Sequence, residues 1–190
     1  MKKNIEDYAV VYPGSLSKDV CKRTLKELKK ATWQQHTFYD PKIDENFTRS
    51  GKHELSVSYA EEVSTRAAMM DATWKAISKY VLEDLKFPWY AGWNGFTLVR
   101  FNKYSLSTKM AEHCDHIHSI FDGKRRGIPI LSIVGSLNEN YTGGELIMFK
   151  DKEIKLKTGD ILIFPSNFMY PHRVEPVKTG TRFSFVSWVY

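Results

Sequence analysis

Two histidines and one aspartate give this chain its first chemical signal. They are His113-Cys114-Asp115, then Pro171-His172 far downstream, with Thr181-Arg182-Phe183-Ser184 after them. Two imidazoles and a carboxylate that leave other coordination positions open form the face that binds non-haem Fe(II) for oxygen chemistry. Arg182, ten residues past His172, suits an anion. Its planar fork grips a carboxylate bidentately and stays charged at any working pH. A dicarboxylate held there by its far end could fill some of the open metal positions with its near end.

These residues need elements to position them. In an extended segment over residues 112–116, His113 and Asp115 leave the same face and Cys114 points away. Residues 170–175 and 181–189 read as strands joined by Pro176-Val177-Lys178-Thr179-Gly180. A hairpin centred on Val177 would set His172 opposite Arg182, with Ser184 on the same face by alternation. Arg182 stands in a strand that is apolar on both faces (Phe183, Phe185, Val186, Trp188), where an unpaired charge is costly. It therefore requires an anion, either a bound acid or an internal carboxylate.

The rest of the chain supplies a helical front and a β-rich back. Residues 8–12 form a short apolar strand closed by Pro13-Gly14, and Ser15 or Ser17 caps a helix reaching about Ala31. Val20, Cys21, Leu25 and Leu28 share one face of that helix. Residues 36–58 are polar and aperiodic, a loop with one strand over 54–59. A second helix over residues 60–85 carries Ala67, Met70, Trp74, Ile77, Tyr80 and Val81 at helical spacing, which makes them core; Pro88 ends the region. Beyond Trp93, strands are expected at 96–101, 128–137, 145–149, 152–156, 160–164, 170–175 and 181–189. Thr142-Gly143-Gly144, Asp151 and Gly159-Asp160 mark turns. Many short strands with frequent turns make a sandwich or barrel, with the helices covering one outer face. The expected class is mainly β with N-terminal helices, one domain over 1–190: a helical support region (1–92) and a catalytic β core (93–190).

Composition bounds the function. A chain of 190 residues, 42% hydrophobic and 26% charged, is long enough for a real core and too apolar for wholesale disorder. Its net charge of +6 favours acidic partners without marking a nucleic-acid binder. Cys21 and Cys114 make no disulfide framework, which fits a reducing compartment. The opening residues do not read as a signal peptide, and no apolar run is long enough to span a bilayer. A cytoplasmic protein with no membrane partner is expected.

Residues 100–190, about half of the chain, resemble the prolyl 4-hydroxylase-like branch of the 2-oxoglutarate/Fe(II) dioxygenases. The resemblance rests on Tyr104, His113-Cys114-Asp115, Tyr141-Thr142-Gly143-Gly144-Glu145-Leu146 and Gly159-Asp160-Ile161-Leu162-Ile163-Phe164-Pro165. Pro171-His172-Arg173-Val174, Gly180-Thr181-Arg182-Phe183-Ser184 and Trp188 complete it. It implies a double-stranded β-helix, a cupin-like jelly roll. It also implies Fe(II) on His113, Asp115 and His172, and 2-oxoglutarate held by Arg182 with Ser184 and Tyr104 as helpers. O2 would be the oxidant, with L-ascorbate an optional accessory. The implied reaction hydroxylates an unactivated C–H bond, of a prolyl residue in a peptide or protein, with release of succinate and CO2. The family often has glycine a few residues after the tyrosine; Tyr104-Ser105-Leu106-Ser107-Thr108 lacks it, which bears on Tyr104 more than on the metal site. An aspartate at the carboxylate position argues against a halogenase. Two other readings stand: the same chemistry on a nucleobase, another amino acid or a small metabolite, and a non-catalytic metal-binding cupin. The segment Arg182-x-Ser184 separates an oxygenase from a plain metal cupin.

Other residues carry weaker signals. His116 and His118 could touch substrate or tune the metal, or be solvated loop histidines. Lys124-Arg125-Arg126 could border the barrel mouth or be a solvated charge run. Tyr170 and Trp188 could line the cavity or belong to the core, and turn chemistry alone explains Asn138.

Overall fold

The computed structural model describes residues 4–40, 43, 45–86, 90, 92–115 and 129–190. The chain opens with a 3-10 turn (Ile5–Tyr8), strand β1 (Val10–Tyr12) and helix α1 (Lys18–Leu28). Short strands β2 (Gln34–Gln35), β3 (Phe38–Asp40), β4 (Glu45–Phe47) and β5 (Ser56–Ser58) lead to α2 (Arg66–Lys79), which loosens into a π-helical turn (Tyr80–Leu85). The β-rich half then runs through β6 (Arg100–Tyr104), β7 (Met110–His113), β8 (Leu131–Ser136), β9 (Tyr141–Gly143) and β10 (Leu146–Met148). It finishes with β11 (Lys152–Glu153), β12 (Ile161–Pro165), β13 (His172–Val174), β14 (Val177–Gly180) and β15 (Arg182–Val189).

A seven-stranded sheet in the order β1-β12-β8-β15-β6-β5-β2 faces a four-stranded sheet in the order β11-β10-β13-β7. Together they make the jelly-roll core. Residues of the front half are not only helical support: β1 forms one edge of the large sheet, and β5 with β2 forms the other.

Strand alternation splits the apolar residues into two cores. On the outer face of the large sheet, Phe101, Ile133, Ile161, Ile163, Phe185 and Val189 pack with Cys21, Leu28, Met69, Ile77 and Tyr80 of the helical layer. Between the sheets lie Val57, Tyr104, Val134, Leu162, Phe164 and Val186, against Met110, Leu146, Met148 and Val174 of the small sheet. Ser17 caps α1 by accepting from the Val20 backbone N–H at 3.2 Å. Asp160 ties the front to the barrel, its carboxylate accepting from the backbone N–H of Gly14 at 2.9 Å and of Lys157 at 2.8 Å.

Four local expectations change. The expected hairpin between 170–175 and 181–189 does not form. Strand β13 pairs with β10 and β7, β15 pairs with β6 and β8, and β14 pairs with β9. The connecting residues carry a strand of their own, which sends the chain from one sheet to the other. Helix α2 begins at Arg66 instead of residue 60, and its buried face is Met69, Ala72, Thr73, Ala76 and Ile77. Ala67 therefore lies exposed, and Trp74 is 47% exposed against Trp93 and Phe96 instead of in the core. The expected strand at 96–101 begins at Arg100, with Phe96 making only an isolated bridge to Val189. Residues 36–58 hold β3, β4, β5 and a 3-10 turn (Gly51–His53) instead of one strand. Pro88, His116, His118 and Lys124-Arg125-Arg126 lie outside the described residues.

Candidate metal and co-substrate site

His172 is on β13 and His113 is its direct cross-strand partner at the end of β7. Asp115 sits two residues past the end of that strand, in a turn instead of the expected extended segment. Its carboxylate still reaches the histidines: Oδ1 lies 3.4 Å from His113 Nε2 and 3.9 Å from His172 Nε2. The three ligating atoms all fall within 4.8 Å of one another. Donors about 2.1 Å from one ion and at right angles to each other stand roughly 3 Å apart, so a small contraction closes the set on a cation. The donor types, two imidazole nitrogens and one carboxylate oxygen, are those of an Fe(II) site with open positions.

Neighbouring groups orient each donor. His113 Nδ1 donates to the carbonyl of Ala111 at 2.9 Å and His172 Nδ1 to that of Tyr170 at 3.1 Å. Both rings therefore offer the Nε2 lone pair. Asp115 Oδ2 accepts from Ser132 Oγ at 2.5 Å and from Trp188 Nε1 at 3.0 Å, which turns Oδ1 toward the histidines. Ser132 is itself bonded to Ser166 at 2.6 Å. Burial pushes the Asp115 carboxyl up, but the hydrogen bond with His113, the electrostatic influence of His172 and His113 and the Ser132 hydroxyl outweigh it and hold the group well below the usual carboxylate range. Burial, with His113 alongside, pushes the His172 imidazole down to about 4, so it is neutral at pH 7 and ready to ligate. Cys114 stays apart: its thiol contacts the Phe168 carbonyl at 3.7 Å, and burial and Asp115 raise its pKa.

Arg182 enters the same interior from the large sheet, not from beside His172. Its cross-strand partner is Tyr104 on β6, and Ser184 stands opposite Asn102 and Ser136. Arg182 is 3% exposed, and its guanidinium donates from Nη1 to Ser184 Oγ at 3.2 Å and lies 4.8 Å from the centre of the Tyr104 ring. Among the described residues no carboxylate ion-pairs with it. Burial raises the Tyr104 hydroxyl above its ordinary value against the opposing charges of Arg182 and Arg100, so it is a neutral donor. The six residues singled out from sequence (His113, Asp115, His172, Arg182, Ser184 and Tyr104) thus face one interior, but from two sheets, with His172 paired to His113 and Arg182 to Tyr104 instead of to each other.

Several residues hold the site in roles that the sequence did not assign to them. Asn138 is buried and clamps the start of β15: Nδ2 donates to the Thr181 carbonyl at 2.8 Å and Oδ1 accepts from the Phe183 N–H at 2.8 Å. That fixes the register of Arg182, so turn chemistry alone does not account for Asn138. Gly144 has φ +68°, and a Cβ there would come within 3.1 Å of Arg182 Cδ. Trp188 follows from Arg182 by period-two alternation, a signal present in the sequence. Tyr170 is core, its hydroxyl donating to the Ile5 carbonyl at 2.9 Å. His36 and Glu54, buried 3.9 Å apart near the site, carry no motif that sequence alone exposes.

Comparison with known proteins gives a consistent family signal. Residues 99–190 match the sequence profile of the 2OG-Fe(II) oxygenase superfamily. A PKHD-type hydroxylase of Crocosphaera subtropica is 38% identical over 97 residues, 48% of this chain and 42% of that protein. The chain therefore spans well under half the length of that relative. A prolyl-4-hydroxylase structure from Pseudomonas putida superposes with a TM-score of 0.66 at 19% identity, covering 96% of this chain and 91% of the other. A prolyl hydroxylase from Trichoplax adhaerens, solved with a hypoxia-inducible-factor degradation-domain peptide, gives 0.74 at 14% identity, covering 97% and 84%. At these identities the structures establish the shared fold. Among the described residues, no helix is long and apolar enough to cross a membrane.

Proposed function

We propose that this chain, whose residues 99–190 match the 2OG-Fe(II) oxygenase superfamily and whose fold is shared with a prolyl-4-hydroxylase structure, is an Fe(II)- and 2-oxoglutarate-dependent dioxygenase. In this reading it hydroxylates an unactivated C–H bond of a prolyl residue in a peptide or protein. One molecule each of O2 and 2-oxoglutarate yields succinate, CO2 and the hydroxylated product. The observation that carries the reading is the buried, unpaired Arg182 facing the same interior as His113, Asp115 and His172. A metal-binding cupin without turnover has no use for a second, anion-binding centre there.

Bound to those three donors, Fe(II) would supply the redox chemistry that splits O2 and attacks the C–H bond. The protein's own residues do the rest. Arg182 holds the distal carboxylate of the keto acid in its fork, with Ser184 and Tyr104 adding hydroxyl contacts. Asp115 keeps its negative charge because Ser132, Trp188 and the two imidazoles stabilise it. Phe164 packs edge-on against His172 at 5.1 Å and Phe38 against His113 at 5.8 Å, keeping the imidazole edges dry. The peptide assignment draws on the Trichoplax neighbour and its bound peptide; the same chemistry on a free amino acid or small metabolite is the second reading.

Succinate formation by the iron-loaded protein with 2-oxoglutarate and O2, over a panel of prolyl peptides and free amino acids, tests the proposal. Turnover is expected to vanish in His172→Ala. In Arg182→Ala the 2-oxoglutarate requirement should rise roughly 10- to 100-fold, the worth of a charge-assisted hydrogen bond. Iron binding without any consumption of 2-oxoglutarate would return the protein to the metal-binding cupin class.

A further inference from the structure

The inner face of β6 carries a second guanidinium that the site so far described does not use. Arg100, Asn102 and Tyr104 alternate onto that face, while Phe101 packs outward. Tyr104 stands opposite Arg182, and Arg100 stands opposite Val186. The two arginines are therefore four residues apart along the sheet, roughly 13 Å at strand rise. The guanidinium groups rest on different rings, Arg100 on Trp188 and Arg182 on Tyr104, and the carboxyl carbons of 2-oxoglutarate are only about 5 Å apart.

Arg100 lies at the metal-proximal end of this row. Its guanidinium carbon is 5.0 Å from the centre of the Trp188 ring, the same indole that donates to Asp115. Among the described residues its buried Nε has no hydrogen-bond partner and no carboxylate pairs with it. Asn102, between the two arginines, also leaves its buried Oδ1 without a partner. The cation–π contact with Trp188 is a modest attraction, and it does not neutralise the charge. A buried guanidinium N–H without a partner is costly, and an apolar residue at this position would avoid that cost.

We propose that Arg100 is the substrate-recognising residue of this site, and that the substrate carries a carboxylate which Arg100 grips while the target carbon faces the metal donors. Arg182 takes the co-substrate acid at one end of the interior and Arg100 takes the substrate acid at the other. The carboxylate belongs either to a free amino acid or to an acidic side chain beside the target residue in a peptide. This inference rests on the oxygenase reading.

The eight arginines of the chain allow a direct test by the Nε–H resonances of the Zn(II)-loaded, diamagnetic protein. Arg100→Lys assigns one resonance and Arg182→Lys the other. Titration with 2-oxoglutarate should move the Arg182 signal; if it does not, the oxygenase reading fails by itself. With 2-oxoglutarate present, L-proline or a doubly capped Asp-Pro-Gly peptide should then move the Arg100 signal saturably, and a capped Ser-Pro-Gly peptide should not. Response to L-proline points to a free amino acid, and response to the aspartyl peptide points to an acidic sequence. In Arg100→Met the same probe, followed by backbone amide shifts, should bind ~10- to 100-fold more weakly, with 2-oxoglutarate affinity retained. If neither acid moves the Arg100 signal, or the neutral peptide moves it equally, the proposal is overturned.

Discussion

The two faces of β15 are made by the same eight residues and do opposite work. Outward, Phe183, Phe185, Ser187 and Val189 meet the helical layer, and the one polar member is satisfied: Ser187 Oγ donates to the Thr97 carbonyl at 2.7 Å. Inward, Arg182, Ser184, Val186 and Trp188 meet the cavity, where a guanidinium is left unpaired and an indole N–H is spent on orienting Asp115. The outer face is apolar and closely packed: Gly135 lies directly across from Phe185, where any Cβ would come within 2.0 Å of the ring. The inner face instead carries buried polar groups, among them Arg182, with which no carboxylate among the described residues ion-pairs. One strand thus separates stability from chemistry by alternation alone, which lets each face change without rewriting the other.

Substitutions can break that division. The largest effect is expected from Phe185→Ala, which should cost about 3–5 kcal/mol of stability by opening a cavity under α2. The folded protein should nevertheless keep its 2-oxoglutarate requirement; urea denaturation beside saturation kinetics measures both, and a large shift in that requirement would mean the faces are coupled. Trp188→Phe keeps the inward ring and removes the N–H to Asp115. It should weaken metal affinity about 10-fold, within the usual range for groups that orient ligands, and leave the urea midpoint almost unchanged. Metal titration by calorimetry decides it, and unchanged affinity would show that Ser132 alone holds Asp115.

A smaller effect comes from pH. Burial, with His113 next, pushes His172 down to about 4, and burial, with Arg100 next, pushes His36 down to about 3. Between those values and the unfolded value near 6.5, the unfolded chain binds more protons than the native one. Stability of the metal-free protein should therefore fall as pH drops below about 6.5, with the loss continuing toward pH 3–4. Urea midpoints from pH 7.5 to 4 measure it, and His172→Gln should flatten part of the slope; a midpoint insensitive to pH would mean these imidazoles are not buried neutral.

Much of the site was legible because its signals are local. His113 and Asp115 are two residues apart, Arg182 and Ser184 share a face by alternation, and Gly143-Gly144 and Gly159-Asp160 mark turns whatever lies beyond them. The site's supports were less legible. Asn138 reads as an ordinary turn residue until Thr181 and Phe183 arrive beside it from 43 and 45 residues away. Trp74 reads as core by its helical spacing, yet the helix rotates it to the surface because Met69, Thr73 and Ile77 fill the contact with the sheet. Hydrophobic periodicity states that a helix has a buried face, and the packing partner decides which one.

From the sequence alone came the donor types, their spacing, the sandwich-or-barrel class and the arginine that asks for an anion, since side-chain chemistry and strand alternation are short-range properties; the jelly roll was what the family resemblance implied. Tertiary structure decided strand partnership. An apparent hairpin at residues 170–189 was resolved into strands of two different sheets, so His172 and Arg182 face each other across the interior instead of standing side by side. Backbone hydrogen bonding is generic, and any strand can pair with any other. Only the simultaneous burial of two apolar cores, one under the helices and one between the sheets, selects the pairing that brings β7, β13, β6 and β15 around a single cavity.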